Sequence, residues 1–196
     1  VQTEYLGGDL ASSRFRVRRR CGDVLEVSWK LTGRHMALNA AAAVAVADEL
    51  GIADSELVAG LRACQTTGMR MRVCEIDGVT WINDAYNAGP SSMRALIDWL
   101  AETTSAESLI LVLGDMLELG ASAASRHREV LTHAHEQLPG AAILTFGPAF
   151  AAVADGERSF TGIEPLQTAL TDLLRTRACV ALKGSRGMAL ERLLPT

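Results

Sequence analysis

Four consecutive residues, Lys183-Gly184-Ser185-Arg186, combine the residue types that proteins use to hold an anion. They follow an apolar run predicted as a strand over 178–182 and precede a predicted helix over 186–194. Glycine allows close approach of the backbone, a helix N-terminus offers unpaired N–H groups, and Lys183 and Arg186 add positive charge. The residues alone therefore indicate an anion site, with phosphate as the first candidate. The GxxxxGK[ST] spacing of a phosphate loop occurs nowhere in the sequence.

A second group of polar residues follows the apolar run that ends at Asn83. Asp84 comes first, then Tyr86-Asn87, then a Gly89-Pro90 break and a predicted helix over 91–102 with Ser91 as a possible cap. In α/β proteins such groups lie beyond the carboxyl ends of strands, where ligands bind. Asp84 could be a turn or capping acid, or it could accept hydrogen bonds from ribose hydroxyls.

Other titratable residues give weaker indications of a functional site. Asp115 and Glu118 follow the predicted strand 108–113, and an acid–base pair or a metal site is one interpretation. No third ligand is close in sequence, so we expect these acids to shape a loop, and no metal site is predicted. The spacing of His127, His133 and His135 is not that of a zinc protease, and solvent-exposed histidines are expected.

Hydrophobic periodicity predicts the elements that position these residues. After Gly68, predicted strands at 70–76, 79–83, 108–113, 141–146 and 178–182 alternate with predicted helices at 91–102, 122–137, 164–175 and 186–194. This alternation predicts an α/β fold with a mostly parallel sheet flanked by helices, opened by a hairpin across Asp77-Gly78.

The first third of the chain has a different pattern. We predict a hairpin of 14–20 and 24–31, a helix from His35 to Leu50, and a helix capped by Ser55 that runs to about Ala63. The periodicity breaks at 64–68, where we place a domain boundary.

Composition narrows the class of protein. The net charge is −4, which argues against binding to nucleic acid or to an anionic membrane. No apolar run approaches the ~18 residues of a membrane span. The four cysteines show no CxxC spacing, which favours free thiols in the cytoplasm. Because the chain begins with Val1 and not Met, we interpret it as a fragment of a longer protein, and a monomer is expected.

Four segments, in order, resemble motifs of the Mur ligases. They are Gly33-Arg34-His35-Met36-Ala37-Leu38-Asn39, Asp84-Ala85-Tyr86-Asn87-Ala88-Gly89-Pro90-Ser91-Ser92-Met93, Leu111-Val112-Leu113-Gly114-Asp115-Met116-Leu117-Glu118-Leu119-Gly120, and Lys183-Gly184-Ser185-Arg186-Gly187-Met188. The resemblance implies that residues 1–66 are the C-terminal part of a central ATPase domain. Residues 67–196 would then be a C-terminal Rossmann-like ligase domain.

The resemblance also implies an activity: ATP-dependent addition of D-alanyl-D-alanine to a UDP-N-acetylmuramoyl tripeptide, through an acyl phosphate, in peptidoglycan precursor synthesis. ATP and Mg²⁺ are the implied cofactors. The Mg²⁺ ligands and the phosphate loop are expected outside this segment, which should be inactive alone and contains no assigned catalytic residue.

The resemblance assigns residues to two substrates. Those implied to bind ATP are His35, Asn39, Arg70 and Asp84; those implied to bind the other substrates are Tyr86, Asn87, Lys183, Ser185 and Arg186. Met36 and Gly89 depart from the family pattern, which commonly has Asn at both positions. The alternatives are another ligase of the superfamily, adding the third peptide residue or glutamate to folate, and a non-catalytic Rossmann-like binding module.

Overall fold

The computed structural model describes residues 1–66, 68–154 and 158–195. These residues form two compact units, Val1–Thr66 and Thr67–Thr196. In the described part of the chain, no helix is both long and apolar enough to cross a membrane.

Unit 1 is a three-stranded antiparallel sheet with two helices. Its strands β1 (Gln2–Gly8), β2 (Ser13–Arg18) and β3 (Val24–Trp29) pair in that order. In β2, Phe15 and Val17 are buried while the intervening arginines point outward, as the alternating pattern predicts. Helices α1 (Arg34–Glu49) and α2 (Asp54–Ala63) complete the core with small and aliphatic side chains.

The predictions for unit 1 are confirmed for the β2–β3 hairpin and both helices, with two corrections. Strand β1 was not predicted; a register shift between Tyr5 and Gly7 interrupts it, and most of its residues are only partly buried. Ser55 does not cap α2, because the helix begins at Asp54 and its N-cap is Ala53, without a side-chain hydrogen bond.

Unit 2 is built on a six-stranded sheet in the order β4-β5-β9-β6-β7-β8. The strands are β4 (Arg72–Ile76), β5 (Val79–Asn83), β6 (Leu109–Gly114), β7 (Ala142–Phe146), β8 (Ser159–Phe160) and β9 (Cys179–Lys183). Only the β4–β5 hairpin is antiparallel; the other four pairings are parallel. The predicted mostly parallel sheet and the hairpin across Asp77-Gly78 are confirmed.

Helices cover this sheet. They are α3 (Pro90–Thr103), α4 (Ala123–Gln137), α5 (Pro148–Ala151) and α6 (Ile163–Leu174). Leu166 and Leu170 of α6 share a cluster with Ile110, Val112 and Val180 of the sheet. The alternate strand residues Leu109, Leu111 and Leu113 are also fully buried, as expected when both faces are covered.

Three predictions for unit 2 need correction. The helix predicted over 186–194 is instead two short 3₁₀ turns, Arg186–Met188 and Leu190–Leu193, separated by Ala189 in a left-handed conformation. The short elements α5 and β8 were not predicted. Ser91 does not cap α3; the hydroxyl of Ser92 accepts a hydrogen bond from the N–H of Gly89 at 3.1 Å.

Candidate functional site

The candidate site of unit 2 lies where β5, β9 and β6 end, three neighbouring strands of the sheet. Their parallel pairing brings Asp84, Lys183 and Asp115, which are far apart in sequence, to the same carboxyl edge. Ligands of open α/β sheets bind at this edge. The polar residues that follow each apolar strand therefore share one edge of the sheet, as the sequence predicted.

Asp84 and Lys183 form an ion pair. The Lys183 ammonium donates to Oδ2 of Asp84 at 2.5 Å and to the carbonyl of Asn87 at 3.1 Å. The side chains are 3% exposed for Lys183 and 14% for Asp84. The other carboxylate oxygen, Oδ1 of Asp84, accepts from the N–H of Met71 at 3.1 Å. The carboxylate thus connects the loop after β5 to the end of β9 and to the residues before β4.

Arg70 and Tyr86 form the exposed side of this arrangement. The guanidinium of Arg70 lies 3.8 Å from the ring centroid of Tyr86, a cation–π contact between two exposed residues. The N–H of Tyr86 donates to the carbonyl of Met69 at 3.1 Å, which holds the two segments together. The planar faces of this pair and the forked N–H donors of Arg70 could contact a nucleotide or a peptide.

Ser185 and Arg186 have different surroundings. Ser185 is buried, and its hydroxyl accepts from the N–H of Leu117 at 2.9 Å, which ties the loop after β9 to the loop after β6. Arg186 is exposed; its guanidinium donates to Glu191 and lies 3.8 Å from the sulfur of Met69. Burial raises the pKa of Glu191, but the hydrogen bond and charge of Arg186, a backbone hydrogen bond and the charge of Arg192 together hold the pKa below its usual value.

The segment Lys183-Gly184-Ser185-Arg186 differs from the predicted anion site in two ways. A 3₁₀ turn of three residues follows Ser185, so the N-terminus of a long helix is not available there. The ammonium of Lys183 is already paired with a carboxylate. Arg186 is the residue of this segment whose charge is most exposed, at 58% of its side chain.

Asp115 and His127 form a buried cluster that the sequence did not predict. Asp115 accepts from the N–H groups of Ala149 and Phe150 at 2.8 Å each, at the start of α5. His127 is fully buried, so the expectation of an exposed histidine is wrong there. Its Nε2 accepts from the N–H of Met116 at 3.0 Å and its Nδ1 lies 2.7 Å from the carbonyl of Ala123, which indicates a neutral ring protonated at Nδ1.

The signal for this cluster was present in the sequence. His127, Val130 and Ala134 follow the spacing of a buried helical stripe, and all three are buried in α4. The Asp115 carboxylate binds the start of α5 and not the loop between β6 and α4, while Glu118 is exposed. Gly147 is required beside it: its φ is +120°, and an added Cβ would lie 2.4 Å from the Asp115 carboxylate.

Two further candidate residues belong to unit 1. His35 and Asn39 lie in the first turns of α1, one turn apart, with His35 partly buried and Asn39 exposed. The amide of Asn39 lies 3.7 Å from the sulfur of Met36, the residue that departs from the family pattern. That His35 and Asn39 border the same nucleotide as Arg70 and Asp84 stays a prediction.

Comparison with known proteins shows which family this chain resembles. Residues 69–186 match the family model described as the Mur ligase, glutamate ligase domain. A UDP-N-acetylmuramoyl-tripeptide–D-alanyl-D-alanine ligase of Bacillus subtilis is 33% identical over 84% of this chain and 38% of its own length. The enzyme of the same name from Treponema pallidum is 37% identical over 100% of this chain and 43% of its own length.

A solved structure shows the same architecture. The crystal structure of MurF from Acinetobacter baumannii superimposes with a TM-score of 0.85 and 28% sequence identity, covering 98% of this chain and 43% of that protein. The chain therefore spans about two fifths of the length of these relatives. Because the family model matches more than half of the chain, over the residues that form the site of unit 2, the chain belongs to the Mur ligase family.

Proposed function

We propose that this chain is part of an ATP-dependent peptide ligase that adds D-alanyl-D-alanine to a UDP-N-acetylmuramoyl tripeptide. The carrying observation is the meeting of two loops at the ends of β5 and β9. They bring Asp84, Asn87 and Lys183 into contact inside a domain that matches the Mur ligase model. Relatives above 30% identity carry the name of this ligase.

The proposed reaction forms an amide at the expense of ATP. The carboxylate of the tripeptide attacks the γ-phosphorus of ATP, which gives an acyl phosphate and ADP. The free amine of D-alanyl-D-alanine attacks the acyl carbon, loses a proton, and the tetrahedral intermediate expels inorganic phosphate. The protein mainly positions the reactants and offsets their charge.

The described residues fit the nucleotide in part. Arg70 carries an exposed guanidinium whose forked donors suit phosphate oxygens. Asp84 keeps unshared lone pairs beside its two hydrogen bonds, which could accept from ribose hydroxyls. We propose these two as ATP contacts in unit 2, and His35 and Asn39 as contacts of the adenine in unit 1.

The described residues contain no cluster that would hold Mg²⁺ by itself. Among residues 1–66, 68–154 and 158–195, no three His, Cys, Asp or Glu side chains are grouped to hold a metal ion. Since Mg²⁺ is commonly bound through substrate phosphates, we propose that it enters with ATP. Its protein ligands would belong to the remaining length of the protein.

The peptide side of the site is proposed to include Tyr86, Asn87, Ser185 and Arg186. Arg186 is the proposed ligand of the dipeptide carboxylate, and Ser185 holds the loop that carries it.

We propose a cytoplasmic enzyme, since ATP and UDP-linked precursors are cytoplasmic compounds. A monomer is proposed as the functional unit, because every proposed contact comes from one chain.

A panel of acceptors tests the proposal. The complete protein is incubated with ATP, Mg²⁺ and one of three pairs of substrates: UDP-N-acetylmuramoyl tripeptide with D-alanyl-D-alanine, UDP-N-acetylmuramoyl dipeptide with diaminopimelate, or folate with glutamate. We expect ADP, phosphate and one new amide with D-alanyl-D-alanine alone, measured by mass spectrometry. Ligation of diaminopimelate or glutamate to their own precursors would favour another ligase of the superfamily. No ATP turnover with any acceptor would favour a binding module.

A further inference from the structure

Lys183 is placed where an anion ligand would be expected, but its ammonium faces the protein. It is one of two lysines in the sequence, and its side chain is 97% buried. Two of its three donors are directed at the loop after β5, one at Asp84 and one at the carbonyl of Asn87. An ammonium that is buried and paired in this way has little charge left for a substrate.

Asp84 depends on this pairing for its orientation. One carboxylate oxygen faces Lys183, and the other accepts from the N–H of Met71, a buried residue in the left-handed region with φ of 48°. Without the ammonium, a carboxylate only 14% exposed would lose its counter-charge and would turn toward water. Its direction relative to the sheet edge would then change.

We propose that Lys183 is a positioning residue for the nucleotide side of the site and not a ligand of the dipeptide carboxylate. It fixes the Asp84 carboxylate at the end of β5, and through Asn87 it fixes the loop that carries Tyr86. This inference rests on the proposed function, because it assumes that Asp84 contacts ATP. Arg186 is then the proposed ligand of the dipeptide carboxylate.

The test is a double-mutant cycle in the complete protein. The variants are Lys183→Met, which keeps the length of the side chain without the charge, Asp84→Asn, and the double variant. Lys30→Met, at the exposed second lysine, is the matched control. The measurements are KM for ATP, KM for D-alanyl-D-alanine, kcat, binding of a fluorescent ATP analogue, and the melting temperature.

A positioning role predicts a specific pattern. Lys183→Met and Asp84→Asn should each raise KM for ATP by roughly tenfold to a hundredfold, the loss of one charge-assisted contact. The double variant should be no worse than Asp84→Asn, because Lys183 acts through Asp84. It should also melt at a higher temperature than Lys183→Met, since it leaves no unpaired carboxylate. KM for the dipeptide should change less than about twofold, within ordinary variation.

Two results would overturn the inference while leaving the proposed function intact. One is a raised KM for the dipeptide in Lys183→Met with KM for ATP unchanged. The other is multiplication of the two single effects in the double variant, which would mean independent contacts. If the unmodified protein binds the ATP analogue but does not ligate, the proposed function fails. Binding of the analogue by the four variants then still shows whether Lys183 acts through Asp84. No analogue binding by the unmodified protein would overturn both.

Discussion

At the scale of single residues, Arg186 is the proposed ligand of the acceptor's carboxylate. Its guanidinium donates to Glu191, yet it has five N–H donors and more than half of its side chain is exposed. We expect Arg186→Ala to remove most of the preference for D-alanyl-D-alanine over its C-terminal amide, since one charge-assisted hydrogen bond contributes about 1.5–3 kcal/mol.

The measurement is kcat/KM for the free acid and for the amide in the complete protein. Arg192→Ala, at an exposed arginine in the second 3₁₀ turn, is the control and should keep the preference. The same preference in Arg186→Ala as in the unmodified protein would place the carboxylate elsewhere.

Asp115, the first residue of the loop after β6, is the residue on which the start of α5 depends most. Its buried carboxylate accepts two backbone N–H groups at the start of α5, and nothing else in the described contacts of Ala149 and Phe150 replaces it. Asp115→Ala should lower the free energy of unfolding by about 2–4 kcal/mol, because two buried donors lose their acceptor.

Urea denaturation measures this difference. Glu118→Gln, at an exposed acid three residues along the same loop, should change the free energy by less than about 0.5 kcal/mol. Equal effects of the two substitutions would show that the Asp115 contacts do not stabilise the fold.

At the scale of elements, β9 is the strand that joins the two halves of the site. It lies between β5 and β6, and all five of its residues are buried. Burial raises the pKa of Cys179, at its start, from about 9 to about 11. The thiol ionises more readily in the unfolded chain, so its contribution to stability is present below pH 9 and is lost as the pH rises to 11.

A pH series tests this sign. The difference in free energy of unfolding between the unmodified protein and Cys179→Ala should fall by about 2 kcal/mol between pH 8 and pH 11. A constant difference for Cys179→Ala would contradict the assigned burial.

The elements also show what the sequence could predict. Continuous apolar runs such as Leu109–Leu113 predicted the buried strands, and the residues after them predicted the edge at which the site lies. The prediction of a helix after Ser185 is wrong. The apolar spacing that suggested it continues through Ala189, but the left-handed backbone of Ala189 ends the first turn. Short elements such as α5 and β8 have too few residues to show a period.

The pairing of Lys183 with Asp84 lay beyond sequence reasoning for a different reason. The two residues are 99 positions apart, and they meet because β9 lies beside β5 in the sheet. Strand order is set by packing of the whole unit, and local patterns do not encode it. The sequence therefore predicted which residues are polar at the edge, but not which of them neutralise each other.

At the scale of the whole molecule, the chain contributes one matched ligase domain, within residues 69–186, and a smaller unit before it. Its relatives extend over more than twice its length. We propose that the complete protein uses ATP to activate a peptide carboxylate and then forms an amide with D-alanyl-D-alanine.

Isotope transfer tests this claim most directly. UDP-N-acetylmuramoyl tripeptide labelled with ¹⁸O in its reacting carboxylate is incubated with ATP, Mg²⁺, D-alanyl-D-alanine and the complete protein, and the products are analysed by mass spectrometry. An acyl phosphate passes one carboxylate oxygen to phosphate, so each amide formed should be matched by one ¹⁸O-labelled inorganic phosphate and one unlabelled ADP. Label appearing in AMP, or amide formed with unlabelled phosphate, would contradict the account.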